Sequence, residues 1–132
     1  ESEAFAVTLT MKQHTQGKSL DEINASLCLR HFLNRLNRTC FSNAFSRGGK
    51  RISVMPVLEK SYDGRLHYHL TIINPYPDNA EFFVQSIRDC WQKILFADSQ
   101  VDIKPVYDID NWHSYITKGK KPNIDWENFH IA

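Results

Sequence analysis

An α+β fold, an antiparallel sheet with helices on one of its faces, is what this sequence predicts. Three observations carry the prediction. Short β-branched runs with a period of two alternate with longer runs of helical period. A Tyr62-Asp63-Gly64 loop joins two of the strand-like runs directly, which only antiparallel neighbours permit. The chain has 132 residues, of which 42% are hydrophobic and 12% aromatic, enough for one domain with a real core.

The elements follow in order. Phe5 to Thr10 alternates and is β-branched, and reads as a first strand. Ser19 with Glu22 forms a capping box opening a helix to about Arg38, with Leu20, Ile23, Leu27, Leu33 and Leu36 as its apolar stripe. Ser42 to Lys50 is rich in Ser, Asn and Gly and reads as a loop. Arg51 to Lys60 is a second strand, and Pro56 suggests a sheet edge or a bulge. In the three-residue hairpin loop that follows, Gly64 stands where a left-handed conformation is needed.

Arg65 to Ile73 is a third strand, stopped by Asn74-Pro75-Tyr76-Pro77. Asp78 and Glu81 cap a second helix, which Phe82, Phe83, Ile87, Trp91, Ile94 and Leu95 line on its core side. Val101 to Tyr107 is a fourth strand, and Asp110 caps a short third helix through about Lys118. Trp126 and Phe129, in an irregular tail, are expected to dock on the body. The order β-α-β-β-α-β plus a helix is the split-βαβ or ferredoxin-like pattern, in which the first and third strands are central.

Composition narrows the function classes. Net charge is +1, and the sequence pI is about 8.0, so total charge names no partner. The basic residues cluster, however. Arg47, Lys50 and Arg51 surround Gly48-Gly49, Lys118, Lys120 and Lys121 surround Gly119, and Arg30, Arg35 and Arg38 form a third group. Such clusters can neutralise phosphates whatever the total. Cys28, Cys40 and Cys90 are odd in number and lack CxxC spacing, which fits a reducing compartment, cytoplasmic or nuclear, and argues against a disulfide framework or zinc knot. No apolar run approaches membrane-spanning length, so no membrane partner is expected. The first residue is Glu1, which fits a processed form or a domain excised from a longer protein.

Within the third strand, His67 and His69 share one face while Leu66, Tyr68, Leu70 and Ile72 share the other. The apolar set should face the helices and leave the imidazoles on the open face. The hairpin loop then fixes a register in which Ser61 opposes Arg65, Lys60 opposes Leu66, and Glu59 opposes His67. Glu59 would complete a two-His, one-carboxylate set that leaves positions open for water and substrate, suited to Mg²⁺ or Mn²⁺. The alternative is a solvated glutamate beside two sheet histidines.

On the following helix Tyr115 and Lys118 lie three apart, hence on one face. An ammonium or a metal beside a phenol favours the phenolate, a usable nucleophile. Taken alone, these residues fit equally an amphipathic helix with a core tyrosine and a surface lysine. His14 and His113 read as surface or packing histidines.

His67-Tyr68-His69 on a strand, Glu59 on the strand before, and Tyr115-Ile116-Thr117-Lys118 on a later helix resemble the HUH endonuclease superfamily, in its single-tyrosine replication-initiator (Rep) branch. The likeness spans nearly the whole chain in element order. Tyr68 departs mildly from the usual aliphatic central residue. The resemblance implies metal-dependent, sequence-specific nicking and rejoining of single-stranded DNA in rolling-circle-type replication. Its implied parts are Mg²⁺ or Mn²⁺ on His67, His69 and Glu59, Tyr115 as nucleophile forming a 5′-phosphotyrosine, and Lys118 for charge stabilisation. Arg47, Lys50, Arg51, Lys120 and Lys121 could then track the DNA backbone; their alternative is solvated surface charge. The implied partners are single-stranded DNA or an origin hairpin, with a helicase domain or host replication proteins.

Three competing readings remain. A single-tyrosine transposase would carry a glutamine four residues after the nucleophile, where this chain has Gly119, and a relaxase would carry a third histidine. His69-Leu70-Thr71 is an HxT, but two-histidine phosphoesterases need a pair of them. A non-catalytic nucleic-acid-binding module would need exposed aromatics on the central strands. The side to which Tyr68 points separates that last reading from the catalytic one.

Overall fold

The computed structural model describes residues 4–108, 110 and 123–131. Its elements are β1 (Ala4–Met11), β2 (His14–Thr15), β3 (Lys18–Ser19), α1 (Glu22–Phe41), α2 (Asn43–Ser46), β4 (Val54–Lys60), β5 (Leu66–Ile73), α3 (Ala80–Gln92) and β6 (Ala97–Val106). The fold is α+β, as expected. Four strands form one antiparallel sheet in the order β4-β5-β1-β6, so β1 and β5 are central. The helix expected from Asp110 to Lys118, with Tyr115, Lys118, Lys120 and Lys121, lies outside the described residues.

Alternation builds the two faces of this sheet. From β1, Val7 and Leu9, and from β5, Leu66, Tyr68, Leu70 and Ile72, are buried against α1 and α3. Phe32 of α1 meets Trp91 of α3 edge-on at 5.5 Å between centroids, and Phe83 packs on Phe5 at 6.1 Å. Each such side chain contributes about 1.5–3 kcal/mol by leaving water.

Pro56 lies on β4, an edge strand of the four-stranded sheet, as its type suggests. It occupies the position whose missing N–H would point out of the sheet. Two residues to either side, Val54 N donates to His130 O at 2.8 Å and Leu58 N to Asn123 O at 2.9 Å. Pro56 O itself accepts from Asp125 N at 2.9 Å. Residues 123–131 thus cover the outer edge of β4, which would otherwise be open to another chain.

Several local expectations are corrected. Ser19 does not cap α1; it ends a small hairpin whose Gln16-Gly17 turn has both φ values positive, at 50° and 76°. The cap is Asp21, whose carboxylate accepts from Asn24 N at 2.7 Å. Likewise Asn79, rather than Asp78 with Glu81, caps α3 by accepting from Phe82 N at 3.2 Å. The apolar stripe of α1 is Ala25, Cys28, Leu29, Phe32, Leu33 and Leu36. Ile23 and Leu27 turn outward, because the first turns are rotated to bring Ser26 against Asp125 and Asn128. Phe82 and Leu95 are exposed edges of the α3 stripe. The loop 42–50 contains α2, and β6 begins at Ala97 rather than Val101. Trp126 stays exposed and stacks on Phe129; Asp125 and Asn128 do the docking expected of it.

Candidate metal centre

The β4–β5 hairpin has the register that its loop length dictates. Gly64 has φ of 85°, Ser61 N donates to Arg65 O at 2.8 Å, Lys60 pairs with Leu66, and Glu59 pairs with His67. The consequence is a tight cluster on the face of the sheet away from α1 and α3. His67 Nε2 lies 3.0 Å from Glu59 Oε1 and 3.2 Å from His69 Nε2, and His69 Nε2 lies 3.5 Å from the same carboxylate oxygen. Among the described residues it is the only group of three His, Cys, Asp or Glu side chains close enough to share an ion.

This triangle suits a cation better than it suits hydrogen bonding. Two imidazole nitrogens and one carboxylate oxygen in mutual contact share too few protons to satisfy every edge, so lone pairs face each other. Ligands at right angles about an ion roughly 2.1 Å away stand about 3.0 Å apart, close to the edges found here. The histidine side chains are 20% and 40% exposed and Glu59 is 53% exposed, so the outer side is open to water or substrate.

β1 supplies a part that sequence reading did not find. Thr8 pairs with His69 across the sheet, and its Oγ1 lies 3.1 Å from His69 Nδ1. With Nδ1–H donating to that hydroxyl, the Nε2 lone pair is turned to the triangle. This is the outer-shell bond that metal-binding histidines need. A threonine alternating on β1 is visible in the sequence, but which β5 residue it meets is a non-local pairing. Beside His67, a groove of about 520 Å³ is walled by Thr8, Thr10, Ser61, Arg65 and Gln100 among others.

Behind the histidines, Tyr68 is fully buried on the helix side. Its hydroxyl donates to Asp125 Oδ2 at 2.7 Å, and the same oxygen accepts from Ser26 Oγ at 2.9 Å and Asn128 Nδ2 at 2.8 Å. Burial first, and then the Asp125 carboxylate, push the Tyr68 phenol well above the usual tyrosine range. Its aromatic character, unexpected beside the two histidines, is thereby explained: the ring fills the core and its hydroxyl holds the C-terminal segment. Since Tyr68 does not face the open side, the binding-module reading loses the aromatic platform it required.

The basic residues separate. Arg47, Lys50 and Arg51 are exposed on the segment entering β4, with Lys50 over Phe41 and Arg51 over Phe45. That segment meets the sheet where Val54 pairs with Ile72, five residues along β5 from His67, or roughly 17 Å at strand rise. It is not brought to the triangle. Lys120 and Lys121, like Tyr115 and Lys118, fall outside the described residues.

Fold and site together define an α+β protein presenting a compact His-His-carboxylate cluster on the helix-free face of an antiparallel sheet. The sequence profile of the ORF2-type replication-associated protein family matches residues 4–120, and the chain belongs to that family. It is therefore a Rep-type protein with a role in the initiation of DNA replication. No curated protein and no solved structure matches it significantly.

Proposed function

We propose that this protein is an HUH-type endonuclease that nicks and rejoins single-stranded DNA at a defined origin site to start rolling-circle-type replication. The observation that carries the reading is the Glu59, His67 and His69 triangle on the open sheet face of a replication-associated chain. Held there, a divalent ion such as Mg²⁺ or Mn²⁺ would polarise the scissile phosphate and spread its negative charge.

The chain's own groups do the rest. Tyr115 attacks phosphorus as the phenolate, the bond to the 3′ oxygen breaks, and that oxygen takes up a proton. The products are a free 3′ hydroxyl and a 5′-phosphotyrosine. Because the phosphodiester energy is kept in the tyrosyl link, a returning 3′ hydroxyl can reverse the step and seal the strand. Lys118, one helical turn on, favours the phenolate and steadies the phosphate. Thr8 holds His69 in the tautomer that faces the reacting centre. The substrate is single-stranded DNA or an origin hairpin, and a helicase domain or host replication proteins would extend the 3′ end.

The test incubates the protein with a labelled pool of single-stranded DNA and Mn²⁺ and looks for an adduct that survives denaturation. Wild type forms it, a chelator abolishes it, and Tyr115→Phe forms none. An adduct formed equally by Tyr115→Phe would remove the nucleophile assignment, and cleavage undiminished by chelator would remove the metal.

A further inference from the structure

The third basic group of the sequence, on α1, has no part in the chemistry above. In the fold it gathers into a surface. His31, Arg35 and Arg38 recur at helical spacing and so form one stripe on the exposed side of α1, about 10 Å long at 1.5 Å per residue. Lys93, at the end of α3, closes the stripe from the side. Together with Asn34, Ile94 and Leu95 these residues line a shallow groove of about 480 Å³ without a carboxylate.

Among the described residues, no carboxylate lies within ion-pair distance of Arg35, Arg38 or Lys93. Asp89 on α3 is engaged by Gln85 Nε2 at 2.8 Å. Asn34 also lines a second groove of about 360 Å³ that contains Arg30 and Arg51. The basic surface thus continues from Lys93 across α1 toward the Arg47 to Arg51 segment. All of it belongs to the helix-covered side, whereas His67 and His69 face the other way.

We infer that the α1–α3 groove is a second DNA-contact surface, which holds the phosphate backbone of a duplex while the open face handles the single strand. The inference rests on the proposed nuclease reading for the role of that open face. Three features choose the ligand. Unpaired cations beside an amide are what phosphate oxygens take, and they carry no base readout. The groove has no exposed aromatic on which bases could stack, so it lacks the platform that single-strand binding uses. Leu95 is its only exposed apolar side chain, so it also lacks the apolar centre and aromatic anchors of a protein-docking site.

The experiment follows anisotropy of a labelled duplex of arbitrary sequence, about 25 base pairs long, against the full chain in chelator, over a range of salt. The variant is Arg35→Ala/Arg38→Ala/Lys93→Ala, three exposed positions whose loss leaves the core intact. Duplex affinity should fall roughly 10- to 100-fold at low salt, and the slope of log K against log salt should shrink by about 3, near one per lost phosphate contact. Adduct formation on a short single strand should be unchanged.

Unchanged duplex affinity overturns the proposal. So does an equal loss of adduct, which would put the groove on the single-strand path. Poly-glutamate binding at the patch without duplex binding would make it a protein-docking surface and also overturn it. If wild type forms no adduct yet the duplex effect stands, the nuclease reading fails and the surface remains.

Discussion

The two sides of β5 are built from one continuous run of residues, yet they answer to different constraints. On the helix side, Leu66, Tyr68, Leu70 and Ile72 are at most 5% exposed, and every atom is placed by packing. On the other side, His67 and His69 are placed by strand geometry and by single polar contacts to Glu59 and Thr8. One side stores the stability and the other holds the reactive groups at little cost to it. Because strand alternation separates the two sets, substitutions on one side should leave the other nearly untouched.

Four substitutions test that separation, from the largest effect down. Tyr68→Ala should cost about 3–5 kcal/mol of stability, since it opens a core cavity and strips Asp125 of a donor. Calorimetry should show the fall in Tm, while protein that is still folded should bind Mn²⁺ as before; loss of Mn²⁺ binding well below the new Tm would show that the sides are coupled. His69→Ala should do the reverse. Titration should find Mn²⁺ affinity down roughly 100-fold or more, with stability within about 0.5 kcal/mol of wild type.

Asp125→Ala should leave the Tyr68 hydroxyl buried without an acceptor and release the C-terminal segment from α1, at a cost of about 1–3 kcal/mol. Chemical denaturation measures this, and a change below the error of the method would mean that the Asp125 network is not an anchor. The smallest effect is that of Thr8→Val, which keeps the shape and removes the bond to His69 Nδ1. Mn²⁺ affinity should drop about 10-fold with stability nearly unchanged, and an unaltered titration would show that His69 needs no help from β1.

The metal triangle was legible in the sequence to an unusual degree, for a physical reason. His67 and His69 are two apart, and Glu59 is joined to them by a three-residue loop, so every relation is local and set by pleat and turn. Thr8 was not legible, because its partner is 61 residues away and no short-range rule selects the pairing. The differences at helix starts have a similar origin. Ser19 and Asp21 are both good caps, and it is the pairing of His14 with Ser19 in the small hairpin that assigns the job to Asp21. Trp126 departs from expectation because size suggests burial, whereas a carboxylate with three buried donors holds the segment instead.

By itself the sequence determined the α+β order of elements, the buried side of each strand, the Glu59–His67 register and the family in which such a pattern occurs. Those follow from periodicities and turn chemistry that act over a few residues. Only the tertiary structure decided that Thr8 orients His69, that residues 123–131 cover the β4 edge through Asp125, and that the Arg35 and Arg38 cations lie on the side away from the histidines. Each of these depends on which distant elements meet, and that is settled by packing the whole chain around one core.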